Sequence, residues 1–397
     1  MARALIIGGG VAGTVTAIAL KKAGLEPVVY EAYDRTADGV GAFLTVAVNG
    51  LDALDAIGLK DRLVDKGLDT PRMAMHLGAS GKKLGEFPFG SAEDGTVYQT
   101  FLRADLYTAL REEAEREGVE VRYDRRLVDA ERTGGGVRAK FADGSHAEGD
   151  LLIGADGLHS RVRTLLDPDA PRARYLGLLN TGGFASGVRI GAEPGVANMI
   201  FGRRCFFGYF THPDGRVWWF ANPARAVAPT AAELAAITDE QWRAELIRLF
   251  RADRTPAVRI IEATPEIFRP WATYDFPNVP IWHRDRMVII GDAAHAVSPA
   301  SGQGASMALE DAVTLARCLR DVDGIDAAFA AYERLRRDRV EAIVVEGKRN
   351  GDAKAVGPIG RLVRDFFIAR AFRKSGDMPD TSWTWNHHIE WAERVAA

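Results

Sequence analysis

Three stretches of the chain carry residues whose types and spacing suit chemistry. Gly8, Gly10 and Gly13 form a Gly-x-Gly-x-x-Gly run, and Glu31 stands eighteen residues past Gly13. In such a run the first glycine permits a tight turn, the second lets backbone approach a pyrophosphate, and the third lets a helix pack close to a strand. The helix that follows offers unpaired N–H groups and a positive dipole end to the phosphates. Glu31 can accept hydrogen bonds from an adenosine ribose. The run therefore reads as a dinucleotide site and does not separate NAD from FAD. The second stretch is GADGLHSRVR (154–163), with Asp156-Gly157. The third, VIIGDAAHAV (288–297), runs on into PASGQGASMALEDA (299–312).

Such residues work only if the elements around them hold them. Residues 3–7 read as a buried strand, 11–23 as a helix closed by Gly24, and 27–31 as a second strand. This is a βαβ start with the apolar strands of a parallel sheet. A helix follows Arg103 to Gly118, then short strands over 119–153 with turns at Gly134–Gly136 and Asp143-Gly144. Residues 172–275 turn toward aromatic and β-branched residues, and RCFFGYFTHPDGRVWWFAN (204–222) reads as a hairpin around Pro213-Asp214-Gly215. A strand returns at 285–290, and long helices run from 303 to about 322 and from about 326 to 350. The expectation is an α/β chain with a discontinuous Rossmann-like nucleotide domain (1–70, 101–171 and 276–325). A mostly antiparallel β domain (71–100 and 172–275) is inserted in it, and a helical segment (326–397) follows.

Composition excludes several classes. The chain has 397 residues, 47% hydrophobic and 26% charged, as soluble globular proteins do. A formal net charge of -3 argues against nucleic acid or an acidic membrane as partner. Two lone cysteines, Cys205 and Cys318, suggest neither a zinc knuckle nor a dithiol pair; both read as core residues of a reducing compartment. The N-terminal apolar run is too short for a secretion signal, and no stretch reaches the length of a membrane span. A cytoplasmic protein, monomer or homodimer, is expected.

Taken together, Gly8–Gly13, Glu31, GADGLHSRVR and VIIGDAAHAV followed by PASGQGASMALEDA resemble the class A FAD-dependent monooxygenases, the para-hydroxybenzoate hydroxylase-like family, from residue 1 to about 350. The resemblance implies non-covalent FAD, with NADPH or NADH as a transient co-substrate. It also implies oxygen insertion into an electron-rich, aromatic or polycyclic small molecule through a C4a-hydroperoxyflavin. The implied cofactor set is Gly8, Gly10, Val11, Ala12, Gly13, Glu31, Arg35, Arg103, Asp156, Gly291, Asp292, Pro299, Gly302, Gly304, Ala305 and Ser306. Asp292, at a strand end, can accept hydrogen bonds from ribityl-like hydroxyls. Ser301-Gly302-Gln303-Gly304 let backbone approach a flat ring, and the helix start beyond can stabilise the negative charge of a reduced flavin. Arg103 and Asp156 enter by resemblance alone, Asp156 also for nicotinamide delivery; Arg161 and Arg163 are weaker candidates for its phosphates. Ser306 departs from the Asn that many members carry, which puts a side-chain contact to the flavin in doubt. No second glycine fingerprint exists for a separate nicotinamide domain.

A dry pocket keeps such an enzyme from losing hydrogen peroxide. Phe201, Phe207, Tyr209, Phe210 and Trp219 are candidates to wall it, with strand alternation sending only about half of them there. No catalytic side chain is singled out. Residues 78–83 (GASGKK) read as a hairpin turn, His387-His388 as a surface pair and His295 as a group orienting local backbone; no metal site is expected. Two other functions stay open: a flavin-dependent oxidase or reductase of the same fold, and a ligand-sequestering flavoprotein without turnover.

Overall fold

The computed structural model describes residues 1–34, 42–90, 95–354, 357–372 and 382–396. The strand Arg3–Ile7 lies in the middle of a six-stranded sheet, flanked by Glu26–Tyr30 and Leu151–Gly154. Glu120–Arg122 and Met287–Ile289 extend it in parallel, and the short strand His283–Arg284 closes one edge antiparallel. Its strands are near-continuous apolar runs because both faces are covered. The helix Val11–Lys22 packs between the sheet and the helix Gly304–Asp321. From Ser306 to Cys318 that second helix is buried on every side. A three-stranded meander (Leu127–Arg132, Val137–Phe141, His146–Gly149) adds Leu127, Ala130, Val137 and Phe141 to the same core.

A seven-stranded sheet forms the second layer. Its order is Trp271–Asp275, Arg174–Ala185, Val217–Pro223, Cys205–Thr211, Val196–Phe201, Arg72–Leu77 and Lys82–Pro88. The hairpin at Pro213-Asp214-Gly215 forms because Gly215 takes φ +88° and the Asp214 carboxylate accepts from the Arg216 N–H at 2.9 Å. The helices Asp239–Phe250 and Ala257–Glu262 cover one face of this sheet. Thr238 and Gln241 start the first of them with a capping box.

Residues 98–100, expected in the β domain, lie in the strand Tyr98–Leu102, which pairs with Phe43–Val46 and Leu68–Thr70 rather than with the seven-stranded sheet. Thr100 joins both neighbours through its hydroxyl, 2.9 Å from Thr45 and 2.8 Å from Thr70. The strand leads straight into the helix Arg103–Arg116, whose Leu106 and Leu110 belong to the first core, so the chain must already be there. At the other end, the helix Ile325–Asp352 packs on Gly304–Asp321. Residues 382–396 return to bury Ile389, whose N–H donates to Asp52 at 2.8 Å. No helix of the described residues is long and apolar enough to cross a membrane.

Candidate functional site

The glycine run turns between the first strand and its helix. Gly8 has φ +105°, and a Cβ there would stand 2.4 Å from the Ala155 carbonyl oxygen. A Cβ on Gly13 would stand 1.9 Å from the Gly8 carbonyl oxygen. Both positions therefore demand glycine for close backbone packing. Gly10 differs: a Cβ there meets nothing within 4 Å, so the space above it is open. Gly10 also caps the helix without any side-chain hydrogen bond, leaving the first-turn N–H groups of Val11, Ala12 and Gly13 free of side-chain acceptors. Glu31 braces the turn by accepting from Gly9 N–H at 2.7 Å and Tyr33 N–H at 3.1 Å. A carboxylate has lone pairs left beyond these two bonds. Arg35 lies outside the described residues.

Asp156 has its carboxylate engaged with its own chain. It accepts from Ser160 Oγ at 2.5 Å, Arg161 N–H at 2.7 Å and Val162 N–H at 3.1 Å, and so caps the helix Arg161–Leu166. Its backbone abuts Gly8. The two arginines beyond it do not form a free phosphate-facing pair. Arg163 is buried, donates to the carbonyls of Ala293 and Leu158 at 2.8 Å each, and lies 4.1 Å over the Phe276 ring. It ties the Asp-Gly turn to the 291–295 turn. Arg161 is exposed and donates through Nε to the Val128 carbonyl at 2.8 Å.

The third stretch folds over the first. Gly291 takes φ +56°, and a Cβ there would lie 3.2 Å from the Ala12 methyl and 3.4 Å from that of Ala308. Asp292 follows, exposed to solvent although its carboxyl is surrounded by protein atoms. Burial pushes its carboxyl up, and the nearby His295 and Arg103 oppose that. Arg103, whose guanidinium also reaches the Tyr107 hydroxyl at 2.7 Å, lies near enough for its charge to act on Asp292. Pro299–Ser301 make a short turn, Gly302 takes φ +65°, and the helix from Gly304 begins without a side-chain cap. Ala305 packs partly against the core. The Ser306 hydroxyl accepts from the Ala47 N–H at 3.0 Å and is buried there, so its side chain serves the helix Val48–Ala56.

Beneath these turns lies a buried charge network that the sequence reading did not find. Asp311 accepts from Gly291 N–H at 2.9 Å and Arg336 Nε at 2.8 Å, and pairs with His295 Nε2 at 2.5 Å. Glu310 pairs with Arg336, with Arg339 at 2.8 Å, and with Asn49 Nδ2 at 2.6 Å; Asn49 also donates to Gln303 at 2.9 Å. Burial would raise both carboxyls, but the cations outweigh it: Glu310 is held down to about 2 by Arg336 and Arg339, and Asp311 well below its ordinary value by His295 and Arg336. His295 is therefore a buried orienting group under Gly291. His387 lies half-buried near Glu310 and Arg339, while His388 is exposed and bonded to Asp52 at 2.6 Å; no metal-holding cluster exists among the described residues.

A family model described as an FAD binding domain matches residues 1–346. The chain belongs to this family. An FAD-dependent urate hydroxylase of Klebsiella pneumoniae is 32% identical over 88% of this chain and 90% of its own length. The 3-hydroxybenzoate 6-hydroxylase of Klebsiella oxytoca is 30% identical over 91% of each. The crystal structure of Klebsiella pneumoniae HpxO complexed with FAD and uric acid superimposes with a TM-score of 0.85 at 27% identity, covering 97% of both chains. This chain is accordingly an FAD-dependent monooxygenase of the aromatic hydroxylase type. The open space at Gly10, the uncapped helix start and the exposed Asp292 carboxylate beside Arg103 fit a flavin dinucleotide.

The second layer of the monooxygenase corrects the pocket candidates. Phe207, Tyr209 and Trp219 point to the helix side of the seven-stranded sheet, in one core with Trp242, Leu246 and Phe250. Phe201 and Phe210 point the other way; Phe201 meets Phe206, and Phe210 packs with Phe43, Met199 and Phe220. Alternation decides this, since Phe207 pairs with Ala221 while Phe206 pairs with Asn222. The sequence reading missed Phe43, Phe206, Phe220 and Asn222 on that second face. Phe43 was unreachable from local pattern, because it arrives from a different sheet. Phe206 and Phe220 adjoin the candidates Phe207 and Trp219, and Asn222 stands opposite Phe206 across the hairpin, so a fixed hairpin register finds all three. Both cysteines are buried and free.

Proposed function

We propose that FAD lies with its pyrophosphate over Gly10 and the start of the helix Val11–Lys22, its adenosine ribose at Glu31 and its ribityl chain between Arg103 and Asp292. The flavin ring then meets the turn from Pro299 to Ala305. The observation that carries this reading is the convergence of an open helix start at Gly10, the arginine Arg103 and the exposed aspartate Asp292, the first two 93 positions apart in sequence and the last two 189. The aromatic face with Phe43, Phe210 and Phe220 is the wall of the substrate pocket.

Bound FAD would supply redox chemistry: acceptance of a hydride from NADPH or NADH and, with dioxygen, transfer of one oxygen atom to the substrate while the other leaves as water. The chain's own residues bind, orient and exclude water. Asp292 and Arg103 fix the sugar-like chain, and uncapped N–H groups at Gly304 and Ala305 face the region where negative charge develops. Apolar rings keep water from the transfer. The buried pairs of Asp311 and Glu310 hold the 291 and 303 turns at a set distance. Substrates are aromatic or polycyclic compounds carrying electron-donating groups, as in the related hydroxylases, and the setting is cytoplasmic.

Anaerobic mixing of the yellow holoprotein with NADPH and with NADH tests the reading. Bleaching of the flavin that speeds up when an aromatic ligand is added, followed by a hydroxylated product bearing labelled oxygen from dioxygen, is the expected result. Bleaching followed by hydrogen peroxide alone across an aromatic panel would assign an oxidase instead. No bleaching with either nucleotide would remove the reductive half.

A further inference from the structure

Lys354 has no part in the flavin cradle, yet the fold carries it onto the aromatic face. The helix Ile325–Asp352 is seated on the 297–301 turn. A Cβ on Gly347 would stand 2.9 Å from both Ser301 Cβ and Val297 Cγ2, and one on Gly351 would stand 3.2 Å from Ser298 Oγ. Lys354 follows one turn later, its N–H donating to the Gly351 carbonyl at 2.9 Å. Its ammonium stands 4.0 Å from the centre of the Phe206 ring and 5.7 Å from that of Phe220, and donates to Asn222 Oδ1 at 3.0 Å. The Asn222 amide is itself held by Asn180, to which it donates at 2.5 Å.

No carboxylate among the described residues pairs with this ammonium; Asp352, two residues back, is taken by Lys348. Burial pushes Lys354 down to about 7, and among the described residues the Cys205 thiol is the titratable group that acts on it. A deep ammonium without a counter-charge is costly, and one ring face offsets only part of that cost. One of its three donors is used on Asn222, so two remain. The charge and the two free donors suit a two-oxygen anion.

We propose that Lys354 is the specificity-determining cation of the substrate pocket, holding the carboxylate of an aromatic acid against the Phe206–Phe220 face beside Asn222. The inference rests on the reading of that face as the substrate wall. It assigns the substrate an acidic group at the sheet side of the pocket, with the ring to be oxygenated between that group and the flavin turn.

The test titrates 3-hydroxybenzoate and its neutral counterpart 3-hydroxybenzamide into the holoprotein, reading the flavin spectrum. Wild type, Lys354→Gln and Lys354→Arg are compared, with bound flavin confirming that each is folded. The wild type should prefer the acid over the amide by at least about tenfold. Lys354→Gln should lose about 10- to 100-fold in acid affinity with the amide unchanged, and Lys354→Arg should restore part of the preference. Equal binding of acid and amide, a preference that survives Lys354→Gln, or no binding of the acid to the wild type would each overturn the proposal. Flavin bleaching by NADPH or NADH is read on the same samples. Bleaching without discrimination strikes the anchor alone, whereas discrimination without bleaching strikes the monooxygenase reading alone.

Discussion

The two faces of the seven-stranded sheet are both lined with aromatic rings, and they are finished differently. On the helix side Phe207 stacks on Trp219 at 5.3 Å and 14°, and Phe250 meets Phe207 edge-on at 5.1 Å. The indole N–H groups there are paired: Trp219 Nε1 donates to Thr264 at 2.8 Å and Trp242 Nε1 to Thr181 at 2.9 Å. On the opposite face Phe43 touches Phe184, Phe210, Trp218 and Phe220 at 5.4 to 6.5 Å, mostly tilted or edge-on. Trp218 Nε1 is buried there with no partner among the described residues, and Lys354 stands over Phe206 without a counter-ion. A closed core satisfies its polar atoms within itself. The unpaired Trp218 indole and the Lys354 ammonium on one aromatic face fit the proposed substrate wall. Aromatic content alone does not tell a wall from a core; the indole N–H groups, paired on one face and with Trp218 unpaired on the other, are where the two faces differ.

Substitutions can break this contrast. Phe207→Ala on the helix side should cost about 3–5 kcal/mol in urea unfolding, because it empties a stacked, fully buried site. Phe220→Ala, on the partly open face, should cost clearly less and act mainly on ligand affinity. Equal losses of stability would make both faces cores. Arg336→Met removes one partner from a buried network and should cost a similar 3–5 kcal/mol, with looser flavin binding since the 291 turn hangs from Asp311.

Glu31→Gln should weaken FAD by about 1.5–3 kcal/mol in titration of the apoprotein, through loss of a charge-assisted acceptor. Ser306→Ala should lower stability by about 1–3 kcal/mol by orphaning the Ala47 N–H, and leave FAD affinity unchanged. A drop in FAD affinity instead would place that hydroxyl on the flavin. The smallest effect is set by pH. Glu310 and Asp311 are depressed below their ordinary values of 4.5 and 3.8, so their stabilisation is fully present above those values. It is lost as pH falls from there toward about 2. The urea midpoint should therefore fall on acidification below 4.5, and by less in Arg336→Met than in the wild type.

Much of the proposed flavin cradle is legible in the sequence because its signals are local. A glycine turn between an apolar strand and a helix reports its own geometry, and so does Gly291-Asp292 at the end of Met287–Ile289. What a carboxylate does after the turn is not local. Asp156 looks the same whether it faces a ligand or caps Arg161–Leu166, and only the positions of three N–H and O–H donors decide. Arg163 reads as a helix-surface residue from spacing and is buried by the approach of Phe276 and Ala293, more than a hundred residues on. The hairpin shows its turn plainly, yet its facing needs one fact from outside, the side on which Asp239–Phe250 lands. Lys354 carries no pattern at all; it matters because Gly347 and Gly351 let its helix sit close on the 297–301 turn.

The central claim is that the cleft of Gly10, Arg103 and Asp292 holds the flavin. Measuring bound FAD per chain in purified wild type and Asp292→Ala tests it most directly, with circular dichroism to confirm that both are folded. The account predicts a yellow wild type and a folded, nearly colourless variant that takes up FAD only when it is added in excess. A variant that stays yellow with wild-type stoichiometry would contradict it.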